Sequence, residues 1–211
     1  MKIATISMAL VTPPGLALAW IQARARYRGR SVVDALILLP LVLPPSVVGF
    51  FLVVLLGRRG LIGGFLDETL AIRLVFTPTA AVIASSLVAL PLLVKTVQPA
   101  IEAVPIALEH VGQSLGLSPL QLFLRVTLPA AWRGVLAGLV LGFARALGEF
   151  GATLMFAGNI PGRTNTMPLE IFAAYQVGDD SRAMLYVGVL TVVSVAVVFA
   201  ASRLSPQPES R

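Results

Sequence analysis

Long uncharged apolar runs constrain this chain more than any other feature. They extend from Ile3 to Ala23, Ala35 to Gly57, Leu74 to Val94 and Ala183 to Ser202. Each is close to the roughly 20 residues a helix needs to cross a ~30 Å hydrocarbon core. A further run, Gly134 to Asn159, is the one with charges in its middle, Arg145 and Glu149. Hydrophobic residues make up 57% of the chain and charged ones 12%, too apolar for the surface of an ordinary soluble domain. Transmembrane strands would alternate over roughly ten residues, whereas these runs are apolar on every side, so the backbone must satisfy itself as helix. The expected fold is an all-α integral membrane protein with about five spans, at 3–23, 35–57, 74–94, 134–159 and 183–202. A loop at 95–133 and a short tail at 204–211 complete it. Pro13-Pro14, Pro40, Pro44-Pro45, Pro78 and Pro91 interrupt the pattern, each removing a donor. The segment from Leu43 to Gly49, LPPSVVG, is the best candidate for backbone lining a cavity, since carbonyls freed at membrane depth must face protein or water.

Arg24, Arg26, Arg28 and Arg30 crowd the loop after the first run. Cytoplasmic loops hold the excess of Arg and Lys, so this loop is predicted to be cytoplasmic, the N-terminus outside and the C-terminus inside. Lys95, Arg125, Arg133, Arg203 and Arg211 then fall inside, against Lys2, Arg58, Arg59, Arg73, Arg163 and Arg182 outside. Asp67, Glu68, Glu170, Asp179 and Asp180 also fall outside. A cleaved signal peptide is disfavoured because the first run is long, carries Pro13-Pro14 and is held by the arginine cluster. The net charge of +6 follows from basic loops beside anionic lipid, without nucleic acid.

The same inventory excludes most chemistry. There is one histidine, His110, and no cysteine, so no metal centre, thiolate nucleophile or Ser/His pair within the membrane can be assembled. No phosphate-binding G-x-x-x-x-G-K-[ST] loop occurs, so the chain has no recognisable ATPase site of its own. The expectation is a non-enzymatic membrane subunit without a cofactor.

The inner loop is too long and too apolar for a connector. Leu115, Leu117, Leu120, Leu122, Phe123 and Val126 suit two short amphipathic helices, with Gly116 permitting a left-handed turn and Ser118-Pro119 starting the second. Here the sequence resembles the permease subunits of bacterial ATP-binding-cassette importers. Their signature runs Glu-Ala-Ala, three residues, Gly, nine residues, then an aliphatic residue, any residue, Leu and Pro. Gly116, Val126, Leu128 and Pro129 fall in register, while His110-Val111-Gly112 replaces Glu-Ala-Ala and the acid, Glu109, comes one position early. The resemblance implies the type-1 permease fold over 1–203 and a coupling helix that inserts into a partner ATPase. Its coupling residues would be Glu109, His110, Gly112, Leu115, Gly116, Leu117, Ser118, Val126, Leu128 and Pro129. Gly112, where the family usually has alanine, is expected to cost about 1 kcal/mol of helix propensity.

From Phe143 to Phe172, and again from Leu39 to Phe50, the likeness is to the molybdate branch, whose relatives carry tungstate, sulfate or thiosulfate. It implies alternating access by two copies of this chain in the cytoplasmic membrane. Two ATPase subunits binding ATP and Mg would drive them, and a periplasmic or extracellular oxyanion-binding protein would dock on 158–182. An ATP-independent anion carrier or channel is the rival, disfavoured by the absence of an internal repeat. Arg145 and Glu149, spaced i, i+4, can pair on one helix face and line a path or gate. Neutral donors suit a tetrahedral oxyanion; Ser46, Thr153, Asn159, Thr164 and Thr166 are available, beside the Pro44-Pro45 backbone. Gly142, Gly148 and Gly151 are expected to allow close helix packing.

Overall fold

The computed structural model describes residues 1–204, whose regular elements are all helical. Residues 205–211 of the predicted tail lie outside the described residues, and Leu204 ends the last helix.

Helix α1, Lys2–Arg24, runs unbroken through Pro13 and Pro14. The second run is not one helix. It divides into α2, Arg30–Val42, and α3, Pro45–Leu56, which meet at 112°. The cause is local: Pro44 pushes Leu43 into the extended region (ψ 143°), and Pro45 then opens α3 at the position where its missing N–H is harmless. The Pro44 carbonyl accepts from Val47 and Val48 N–H, so the break is satisfied locally. Helix α4, Leu61–Leu70, lies in the connection that follows.

Helix α5, Pro78–Glu102, starts later than the predicted third span and takes Lys95 to Glu102 out of the expected loop. Pro78 does not interrupt it but begins it, behind an N-cap in which the Thr77 hydroxyl accepts from Ala80 N–H. This is the central helix. Ala80, Ala84, Val88, Ala89, Leu93, Val94, Val97 and Ile101 along it are fully buried.

The next segment comprises α6, Ile106–Ser114, α7, Pro119–Leu122, a π-helical turn, Phe123–Thr127, and α8, Leu128–Ala130. It turns by 83° at Ala131 into α9, Trp132–Leu147. At 1.5 Å per residue α9 is about 24 Å long, short of a bilayer core. Helix α10, Gly151–Ala157, extends it after a break at 148–150. The predicted fourth span is thus interrupted beside its charged pair. Helices α11, Met167–Gln176, and α12, Asp180–Leu204, close the fold.

Helices α1 and α9 pack on one part of α5 around Met8, Ala19, Leu93 and Val97, while α3 and α10 pack on its N-terminal part around Leu52, Ala81 and Phe156. Ser7 donates to Val82 O at 3.1 Å and Ser86 to Ser7 O at 3.2 Å, joining α1 to α5 by polar contacts in an apolar setting. Helix α12 leans on α9 and α11 and leaves most of its apolar surface uncovered. By length and composition α1, α5 and α12 can each cross a membrane alone, and five spans result if each bent pair counts as one.

Candidate functional site

The 103–131 segment builds a knob at one end of the bundle. Helix α6 ends in a Schellman motif: Leu117 N–H donates to Gly112 O at 3.1 Å and Gly116 N–H to Gln113 O at 2.9 Å, with Gly116 at φ +81°. Ser118 then caps α7 through a capping box, its hydroxyl accepting from Gln121 N–H while its own N–H donates to the Gln121 side chain. The left-handed glycine and the serine cap stand where the sequence placed them.

Gly112 has a different reason from the one its propensity suggested. A Cβ there would lie 2.4 Å from Leu122 Cδ2 and 3.3 Å from Leu117 Cδ1, so where α6 crosses α7 a side chain at this position would have to push the buried Leu122 methyl aside. Glu109 points inward, with its side chain 13% exposed. His110, Leu115, Gly116 and Ser118 are exposed, Leu117, Val126 and Leu128 are half-buried, and Pro129 is exposed in α8. The knob therefore exposes Leu108, Val111, Leu115, Leu120 and Leu124, each at least 48% exposed, while Ile106 borders the cleft towards α1.

The second cluster lies at the two helix breaks. Gly151, the first residue of α10, abuts the start of α3: a Cβ there would stand 2.8 Å from Pro45 Cβ and 3.3 Å from Ser46 N. One turn along α3, Gly49 meets Ala152 Cα and O at 2.9 Å by the same measure. Gly142 packs against Met8, whereas Gly148 is exposed and packs against no other helix, contrary to its expected role.

Glu149 sits in the break itself rather than on a continuous helix face. Its Oε1 accepts from Ala152 N–H at 2.8 Å, capping α10, and its Oε2 holds Arg145 Nη1 at 2.9 Å. The carboxylate is 1% exposed and the guanidinium 25%, so the pair neutralises a buried charge from a partly open side. Thr153 is fully buried, Asn159 donates to Leu169 O at 3.3 Å, and neither the Thr153 hydroxyl nor the Asn159 side-chain oxygen has a partner among the described residues. Thr164 is used up in the 158–164 turn, while the Thr166 hydroxyl lacks a partner among the described residues. Pro44, Pro45 and Ser46 are exposed at the end of α3. The structure thus gathers Pro45, Ser46, Glu149 and Arg145 around one junction and leaves Asn159 apart in the connection between α10 and α11.

Two polar groupings escaped the sequence reading. Lys95 lies in α5 and pairs with Asp34 of α2, with Gln22, Gln98 and Tyr27 linked to them. An acid opening one apolar run and a lysine closing another were the available signal. In the α3–α5 connection Asp67 is clamped by Arg58 at 2.9 Å and Arg73 at 3.1 Å. The Arg73 hydrogen bond, then that of Arg58, holds its carboxyl below the usual value despite some desolvation. No metal-binding group of His, Asp or Glu exists among the described residues.

Residues 15–206 match the family described as "Binding-protein-dependent transport system inner membrane component". The chain is 41% identical over 199 residues to the molybdenum transport system permease protein ModB of Haemophilus influenzae, covering 92% of this chain and 87% of that protein. It is 38% identical to the Escherichia coli K12 protein of the same name, covering 93% and 85%. The Mycobacterium tuberculosis namesake is 42% identical, covering 97% and 77%. In fold it is similar to a chain of a bacterial alginate ABC transporter, with a TM-score of 0.72, 18% identity and 97% and 75% coverage. It is also similar to one of the MetNI methionine ABC transporter, with a TM-score of 0.67, 15% identity and 97% and 92% coverage. With its apolar bundle and broken spans, the chain belongs to the binding-protein-dependent transport system inner membrane components, multi-pass membrane subunits of ABC importers.

Proposed function

We propose that the chain is the permease subunit of an ATP-driven importer of molybdate, working as a homodimer by alternating access. The observation that carries the substrate is the identity of about two residues in five to permeases named for molybdenum transport, over nearly the whole chain. The knob supports the energy source. Its apolar outer face, stiffened by the Schellman turn and the capping box, suits insertion into a cleft of a separate ATPase subunit that binds ATP and Mg. One ATPase would engage each of two copies of this chain.

In this reading the α3–α10 junction is the moving part of the path. Two helices that start side by side and pack through glycines can shear past one another by small shifts. Arg145 offers a positive charge that can pass from Glu149 to a dianion and back, and Ser46 adds a neutral donor at the same level. Thr153 and Asn159 keep spare polar atoms further along. An oxyanion-binding protein outside would dock on 158–182, with the N-terminus on that side and the C-terminus in the cytoplasm.

The test is ATP hydrolysis by the permease reconstituted with its ATPase and binding protein, supplied with molybdate, tungstate, sulfate or no anion. Stimulation by molybdate well above sulfate is expected. Preference for tungstate or sulfate would reassign the substrate within the oxyanion importers, and anion uptake independent of ATP would overturn the energy source.

A further inference from the structure

The end of α1 grips the knob in a way that nothing in the coupling signature implies. Arg24, the last residue of α1, places its guanidinium 3.0 Å from Glu109 Oε1 in α6. The same oxygen accepts from the Thr127 hydroxyl at 2.8 Å, and Arg24 Nη2 also donates to Val104 O at 2.8 Å. One turn earlier on α1, and so on the same face, Trp20 meets Phe123 with ring centroids 5.0 Å apart. Two side chains of α1 therefore reach the α5–α6 turn, α6 and the Phe123 end of the π-helical turn, whose Thr127 end is tied in through Glu109.

The π turn is what makes this possible. Its wider winding brings Thr127, fully buried, under Glu109, while Phe123 at its other end faces Trp20. A cleft of about 450 Å³ lined by Trp20, Arg24, Glu109, Gln113 and Leu117 separates the knob from α1 beside these contacts. Helix α6 packs chiefly on α7 and the π turn, so the polar clasp, not an apolar seam, is its tie to α1.

We infer that Arg24 and Trp20 make α1 the arm driven by the knob: Glu109 is an internal positioning residue clasped to α1 rather than a contact for the ATPase. Displacement of the knob is delivered to α1 and, through the long α1–α5 seam, to the core, in addition to the covalent route through the 103–105 turn. The inference rests on the coupling role proposed above for the knob.

The experiment uses the complete transporter in liposomes and compares Arg24→Gln, Arg24→Lys and Trp20→Leu with the parent. Arg24→Gln is expected to co-purify with the ATPase and keep basal hydrolysis. Hydrolysis stimulated by the loaded binding protein should fall roughly tenfold, the scale of a lost charged hydrogen bond. Arg24→Lys, which can keep the Glu109 pair but not the second arm to Val104, should recover part of it. Adding Glu109→Gln to Arg24→Gln should cost little more, since both break one clasp. The chain contains no cysteine, so labels at Arg26→Cys and His110→Cys report the distance from the end of α1 to the knob. That distance should stay constant between nucleotide-free and ATP-trapped states in the parent and change between them in Arg24→Gln. Parental stimulation in Arg24→Gln, or a state-dependent distance in the parent, overturns the clasp. Failure of the parental permease to bind or respond to the ATPase would instead overturn the coupling role itself.

Discussion

Gly49 and Gly188 have the same side chain and opposite surroundings. A Cβ at Gly49 would meet the Ala152 backbone at 2.9 Å and Met155 Cβ at 2.7 Å, none of which can rotate away, whereas nothing lies within 4 Å of a Cβ at Gly188. Gly49→Val should therefore destabilise the protein by about 1–3 kcal/mol, as overpacking does, and impair transport further by splaying α3 from α10. Gly188→Ala should be neutral or gain up to about 1 kcal/mol of helix propensity. Thermal unfolding in detergent measures both, and equal effects would sink the claim that α3 and α10 touch through glycine. Glu149 sets a related test. Glu149→Gln keeps an acceptor for Ala152 N–H but leaves Arg145 without its counter-charge, a loss of about 1–3 kcal/mol. Arg145→Gln combined with Glu149→Gln should regain part of that loss, because the remaining groups are both neutral.

The knob shows where reading a sequence succeeds as a description of an element and where it stops. The left-handed turn at Gly116 and the cap at Ser118 were legible because each depends on residues within a turn of itself. The purpose of Gly112 and the partner of Glu109 were not, because they lie at Leu122 across a crossing and at Arg24, in another helix. The long helices were legible by the same logic, and Pro44-Pro45 marked the interruption that divides α2 from α3, but the break at 148–150 carries no proline and lies hidden within a continuous apolar run, since hydropathy averages over the residues that break it. Gly116 is exposed with open space around it, so its requirement is conformational and not steric. Gly116→Asn should keep stimulated hydrolysis near the parental rate, while Gly116→Val, β-branched and forced to positive φ, should lose most of it with membrane insertion intact. Equal activity in the two variants would show that the turn does not matter to coupling. Helix α4 carries a pH-dependent element of its own. Asp67 has a depressed pKa because Arg73 and Arg58 favour its charged form, so its contribution is fully present above the ordinary carboxylate value near 4 and is lost as pH falls through its lower folded value. Protection of α4 against hydrogen exchange, taken relative to the intrinsic rate at each pH, should therefore be flat from neutral pH to the edge of that range and fall only below it, and Asp67→Asn should remove the acid step.

At the scale of the whole molecule the remaining question is which way the bundle sits in the membrane. The knob and the arginine cluster are at one end, because Arg24 at the close of α1 is bonded to Glu109 in α6. Arg30, at the start of α2, is paired with Glu102 at the close of α5. The opposite end carries the Asp67 clamp with Arg58 and Arg73, and the 158–182 connection in which Glu170 holds Arg182. The two ends therefore differ in how many cations they carry: Arg24, Arg26, Arg28, Arg30, Lys95, Arg125, Arg133 and Arg203 at the knob end, against Lys2, Arg58, Arg59, Arg73, Arg163 and Arg182 at the far end. Cytoplasmic loops hold the excess of Arg and Lys, whether or not acids accompany them, so the knob end should face the cytoplasm. Because the chain lacks cysteine, one introduced thiol at a time reads this directly. In intact cells a membrane-impermeant maleimide should label Arg163→Cys and spare Arg28→Cys until the membrane is opened. The reverse pattern would invert the molecule, place the apolar knob outside, out of reach of any ATP-hydrolysing partner, and remove the basis for coupling through it.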